Sequence, residues 1–201
     1  MKKSEKQKFE DNLTTFAIIA IPAITLFVAF QKSPLEYTLS MIGNWFDVDE
    51  RIKFLIWGIT TAFLLTFLIY NLYKKTKFKN PKAYLSLFAA GLFLILSVIT
   101  PTTTQNPIPK AMRNAFKIEA HGIFGILFAV FIIISLTIFS NYYSKKEKNK
   151  SIKARRMLLG VLGISILMLI IFGMTAIFEI IFFISLVIYI LIIDKKESKK
   201  L

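Results

Sequence analysis

Residues 100–126 read Thr100-Pro101-Thr102-Thr103-Thr104-Gln105-Asn106-Pro107-Ile108-Pro109-Lys110-Ala111-Met112-Arg113-Asn114-Ala115-Phe116-Lys117-Ile118-Glu119-Ala120-His121-Gly122-Ile123-Phe124-Gly125-Ile126. This is the longest polar interruption between two apolar runs. It holds the only histidine and sets Arg113, Lys117, Glu119 and His121 at the mouth of an apolar helix. The runs on either side approach or exceed the ~18 apolar residues that mark a membrane span.

Working outward, the same alternation of apolar run and polar break covers the whole chain. Six spans are predicted, at roughly 13–30, 54–73, 82–99, 116–139, 157–172 and 177–193. Pro22 falls inside the first and is expected to kink it, which lipid-embedded helices tolerate when neighbours re-satisfy the freed carbonyl. The first run is long and no small-residue cleavage site follows it, so it reads as a span and not as a leader. After it, Ser33-Pro34-Leu35-Glu36 reads as a helix start with Ser33 as N-cap. Leu35, Leu39, Ile42 and Phe46 then recur at helical spacing, which predicts a short helix at the membrane surface ending near Gly43-Asn44. Asn80-Pro81 is a cap followed by a first-turn proline, opening the third span. The expected fold is all-α: one polytopic membrane domain over 1–201, six transmembrane helices in one bundle, with a short interfacial helix after the first span.

The composition agrees. Of 201 residues 55% are hydrophobic, and 20 are Phe, too apolar for a water-soluble domain of this size. There is no cysteine, which excludes thiolate catalysis, disulfides and cysteine-ligated metals. One histidine cannot build a three-histidine zinc site, and no cofactor or metal is expected.

The net charge of +14 is explained by where the charges fall. Six spans place both termini on one side. That side carries 20 of the 26 basic residues, and the 12 acidic residues divide evenly. The excess therefore sits wholly on one face, the positive-inside pattern of a cell-membrane protein with both termini cytoplasmic. Anionic lipid headgroups account for it, and no nucleic acid is implied.

In this topology 31–53, 100–121 and 173–179 face outward. His121 and Glu179 each lie about one turn inside a span. An ionisable group there is costly and faces the bundle interior or a partner. His121, Glu179, Arg113, Arg51, Ser40, Asn44 and Asp47 are the candidate ligand-binding residues, with His121 and Glu179 expected within hydrogen-bond or one-water reach. No catalytic residue is assigned. The same groups also read, more simply, as a buried or interfacial salt bridge tying spans together. Gly122, Gly125, Gly160 and Gly163 are candidates for close helix approach, and the Phe-rich faces are expected to meet lipid.

The chain resembles a family of six-span bacterial membrane proteins catalogued as domain of unknown function 998, distantly akin to the eukaryotic DRAM-like and Sfk1-like proteins. The residues are Leu39-Ser40-Met41-Ile42-Gly43-Asn44 after the first span, Pro101 closing the third, His121-Gly122-Ile123-Phe124, and Gly173 followed by Glu179. Members often carry an acidic residue after that proline and a basic one after that glutamate; here Thr102 and Ile180 stand there. The resemblance implies six helices and an outward polar cluster. It implies no activity.

Three functions remain open. The first is a non-enzymatic protein binding a membrane lipid or small hydrophobic ligand, as sensor, accessory subunit or transporter. The second is an enzyme acting on a lipid-linked substrate, with His121 as base and Glu179 orienting it. The third is a structural or immunity-type protein working through a membrane protein partner.

Overall fold

The computed structural model describes residues 5–101, 120–146 and 151–198. These form seven α-helices: α1 (Glu5–Ala29), α2 (Leu39–Trp45), α3 (Val48–Lys75), α4 (Pro81–Ile99), α5 (Ala120–Lys146), α6 (Ser151–Phe172) and α7 (Ala176–Ser198). Among the described residues there is no strand. All but α2 are long and apolar enough to cross a membrane. The protein is a membrane-spanning helical bundle, as the hydropathy pattern predicts.

The helices extend past their apolar segments because their ends are capped. α3 starts at Val48, six residues ahead of Phe54, with Asp47 as N-cap and the Glu50 carboxylate accepting the Asp47 N–H at 3.1 Å. α4 starts at Pro81, and Asn80 Oδ1 accepts from Lys82 N at 3.0 Å and Ala83 N at 3.3 Å. α3 ends in a Schellman turn: Phe78 N–H reaches Tyr73 O at 2.9 Å, and Lys77 N–H reaches Lys74 O at 3.1 Å. The Phe78 and Tyr73 rings close it, with centroids 4.8 Å apart. Lys77 holds the left-handed position of this turn, with φ 57°. Gly173, with φ 69°, takes the equivalent place after α6.

The six spans form a ring in chain order, α1–α3–α4–α5–α6–α7, with α7 closing on α1 and also reaching across to α3. α2 sits at one end against α3 and α1. That end carries Lys32, Arg51 and Lys53. The opposite, basic end carries Lys74, Lys75, Lys77, Lys79, Lys82, Lys145, Arg155, Arg156 and Lys195 among its described residues.

Two aromatic clusters fill the ring. Toward the α2 end, Trp57 of α3 stacks on Phe54 and meets Phe183 of α7, which stacks on Phe128 of α5. Toward the basic end, Tyr73, Phe78, Tyr84 and Phe139 pack together. Buried hydrogen bonds tie the helices: Trp57 Nε1–H to Thr25 Oγ1 at 2.9 Å, and Asn71 Nδ2–H to Thr14 Oγ1 at 2.8 Å. Ser135 donates to Ala83 O at 2.7 Å, so the Tyr73 hydroxyl must be the donor in its 2.8 Å bond to Ser135 Oγ. In hydrocarbon such cross-helix bonds satisfy groups that have no water to turn to.

Three expectations are corrected, those on the short helix, the glycines and the phenylalanines. The short helix begins at Leu39 with Thr38 as N-cap, not at Ser33, because the Pro34 and Tyr37 carbonyls are used by another helix. Close helix approach falls elsewhere than expected: a Cβ on Gly58 would run into Val98, and one on Gly43 into Phe54, whereas Gly122, Gly160 and Gly163 face open space. Gly125 is in ordinary contact with Ser97. Phenylalanine divides, with Phe16, Phe27, Phe63 and Phe88 exposed but Phe54, Phe128, Phe139 and Phe183 in the core. α1 runs unbroken through Pro22.

Candidate functional site

The end of the bundle around α2 is assembled from helix termini. A helix leaves its first amides and last carbonyls without internal partners, and here those groups are matched to side chains from neighbouring segments.

α4 stops at Ile99 because Pro101 follows and biases Thr100 out of the helical region. Thr100 N–H takes the Leu96 carbonyl at 3.0 Å. The Ser97 carbonyl accepts from His121 Nδ1 at 2.6 Å, which places a proton on Nδ1 because a carbonyl has none to give. Ser97 Oγ returns a 3.3 Å bond to the His121 carbonyl. Two residues on, the Ile99 carbonyl accepts from Arg51 Nη2 at 2.8 Å. An imidazole from α5 and a guanidinium from α3 thus meet the negative end of α4, the placement its dipole favours.

Arg51 continues inward. Its Nη1 donates to Asn44 Oδ1 at 2.7 Å, and Asn44 Nδ2 donates to the Ser40 carbonyl at 2.7 Å. Ser40 Oγ and Thr38 Oγ1 lie 2.8 Å apart, and Thr38 Oγ1 accepts the Met41 N–H at 3.1 Å. The line Thr38–Ser40–Asn44–Arg51–Ile99 therefore runs from the start of α2 to the end of α4.

Glu179 acts at the start of α2. Its Oε2 accepts the Leu39 N–H at 2.7 Å. The loop before α2 reciprocates, with the Tyr37 carbonyl accepting Ala176 N–H at 2.7 Å and the Pro34 carbonyl accepting Ile177 N–H at 3.2 Å. The N-termini of α2 and α7 thus cap one another.

The remaining charges pair off. Lys32 Nζ is 2.9 Å from Glu50 Oε1 and 4.6 Å from the Phe46 ring centroid. The hydrogen bond to Glu50 pushes the Lys32 pKa above its ordinary value. Lys53 pairs with Asp49 one turn away and bonds Gln31 Oε1 at 3.3 Å. Arg51 is the exception. Its hydrogen bonds go to a neutral amide and a neutral carbonyl, and among the described residues no carboxylate faces it.

Of the sequence-selected residues, Ser40, Asn44, Arg51 and His121 gather on the α2–α4 line. Asp47 caps α3 beside it, and Glu179 joins through Leu39. Arg113 lies outside the described residues. Among the described residues there is no direct hydrogen bond between His121 and Glu179: His121 bonds the α4 carbonyl and Glu179 the α2 amide. Thr38 and Ser97 take part without having been singled out. Ser97 carries a signal, as a hydroxyl one turn before the proline that closes its span. The Pro34, Tyr37, Ser97 and Ile99 carbonyls carry none, since a main-chain group has no letter in a sequence.

Among the described residues no group of His, Asp and Glu is placed to hold a metal ion. The model of a family described as "Protein of unknown function (DUF998)" matches residues 14–193, which reaches from the first span into the sixth. No curated protein and no solved structure matches the chain.

Proposed function

The chain belongs to the DUF998 family, and from that premise we propose that it is a membrane binding protein, not an enzyme, that holds the anionic headgroup of a lipid or another small amphiphile at its α2 end. It would act as a sensor, accessory subunit or transporter. In the proposed orientation the basic end is cytoplasmic and the α2 end faces outward from the cell membrane, as the positive-inside bias favours.

The observation that carries this reading is Arg51. Lys32 and Lys53 are neutralised by Glu50 and Asp49, whereas Arg51 is fixed in place by Asn44 and Ile99 and, among the described residues, pairs with no carboxylate. A guanidinium anchored by neutral acceptors is pre-organised for an anion. His121 of α5, bonded to the same last turn of α4, supplies a second polar group beside it. The enzymatic alternative draws less support, because His121 Nδ1 and the Glu179 carboxylate serve separate helix ends and do not form an acid–base pair.

Native mass spectrometry after gentle extraction tests the proposal. Wild-type protein should carry a co-purifying anionic amphiphile, and Arg51→Gln should hold it at least tenfold more weakly, the scale of a charge-assisted hydrogen bond. A wild-type protein without any adduct, or an adduct retained equally by Arg51→Gln, overturns it.

A further inference from the structure

A second candidate region runs along α3 and α4 toward the opposite end of the molecule. Between α3 and α4 runs a groove of about 570 Å³ whose lining includes Ala62, Thr66 and Tyr70 of α3 and Phe88, Gly91 and Ile95 of α4. Small residues open it: Gly91 lacks a Cβ, and one built there would stand 2.7 Å from Thr66 Oγ1. From Tyr70 to Ala62 the groove covers about 12 Å at a rise of ~1.5 Å per residue. Tyr70 lies five residues from the end of α3 at Lys75, so the α3 wall lies in the half of that helix nearest the basic end, while the α4 wall, Phe88 to Ile95, straddles the middle of α4. The groove's length is close to the ~15 Å of hydrocarbon in one leaflet.

The turn joining its two walls carries Lys77 and Lys79, with Lys82 in the first turn of α4. All three are exposed, and none forms an ion pair among the described residues. Their neighbours differ: Lys74 pairs with Glu10 at 2.7 Å, and Lys75 with Asp194 at 2.9 Å and Asp11 at 3.5 Å. The basic residues of this hairpin thus divide into two that bind helices together and three that, among the described residues, pair with no carboxylate and stand on the turn joining the two walls of the groove. Lys77 does so from a left-handed backbone position that glycine would occupy without strain. Tyr70, 43% exposed, is the α3 lining residue nearest that turn, and its hydroxyl makes no hydrogen bond among the described residues.

We propose that the α3–α4 hairpin binds one anionic phospholipid of the leaflet at the basic end, with an acyl chain in the groove and the phosphate among Lys77, Lys79 and Lys82. Charge complementarity selects this occupant over a second copy of the chain, whose own basic end would repel these lysines. The site is independent of Arg51, which lies at the other end of α3.

Native mass spectrometry of the purified full chain in neutral detergent tests it, by titration with phosphatidylglycerol and with phosphatidylcholine of the same acyl chains. Phosphatidylglycerol should bind preferentially. Lys77→Gln/Lys79→Gln/Lys82→Gln should weaken it about a hundredfold, at roughly fivefold per lysine. Leu92→Trp, at an exposed position that lines the groove, should weaken phosphatidylglycerol binding with the three lysines in place. Arg155→Gln/Arg156→Gln, exposed at the same end on α6, and Arg51→Gln should leave the binding unchanged. Equal affinity for the two lipids, an equal loss in Arg155→Gln/Arg156→Gln, or undiminished binding in Leu92→Trp overturns the proposal. So does specific cross-linking of Leu92→Cys to a second copy.

Discussion

Glu179 shows how a charged residue in an apolar run serves the fold. Its carboxylate is the acceptor for the first amide of α2, 140 residues earlier in the chain. Glu179→Leu removes that acceptor and should lower stability by about 1–3 kcal/mol, the range for a buried donor left without a partner. Glu179→Gln retains a carbonyl oxygen and should lose less than half as much. Thermal unfolding in detergent separates the two, and equal losses would mean the bond contributes nothing. Lys77 is the converse case. Its φ of 57° is unfavourable for a residue with a Cβ, so Lys77→Gly should stabilise the protein by about 1 kcal/mol. The same variant should bind phosphatidylglycerol about fivefold more weakly if the ammonium contacts lipid. A single substitution that raises the melting temperature while lowering lipid affinity would separate the residue's structural burden from its binding role.

Among the elements, α3 organises the bundle. It touches α1, α2, α4 and α7, and its close approach to α4 depends on Gly58. Gly58→Ala drives a methyl into Val98 and should cost about 1–3 kcal/mol through overpacking. Gly43→Ala should act likewise against Phe54. Gly160→Ala, where a Cβ meets open space, should be neutral or stabilising by up to ~1 kcal/mol from helix propensity. Melting curves of the three variants test the packing; a Gly160→Ala protein as unstable as Gly58→Ala would contradict it. α2 is too short to be stable as an isolated helix. It persists because Thr38 caps it, Glu179 holds its first amide, and Leu39 and Ile42 are fully buried.

For the whole molecule, the proposed orientation gives a direct test. There is no native cysteine, so introduced ones report on a clean background. Ser33→Cys should react with a membrane-impermeant thiol reagent in intact cells, and Ser151→Cys only after permeabilisation. Labelling of Ser151→Cys from outside would invert the orientation and move the Arg51 site to the cytoplasmic face.

The six helices, their order and the asymmetry of charge were legible in the one-dimensional sequence. Each span must satisfy its backbone internally and present apolar side chains to lipid, so each is a local property of about twenty consecutive residues. The Asn80 cap was legible for the same reason, since a capping side chain acts on amides two and three residues away. Which helix ends lie side by side is not local. His121 and Glu179 were recognisable as groups that needed partners, and only the tertiary structure decided that those partners are the Ser97 carbonyl and the Leu39 amide. α5 and α7 turn these side chains toward α4 and α2. Main-chain donors and acceptors stand at every position in the chain, so sequence alone cannot say which of them a given side chain will find. The ring closure of α7 on α1, the Gly58–Val98 approach and the α3–α4 groove likewise exist only once distant surfaces are packed against each other.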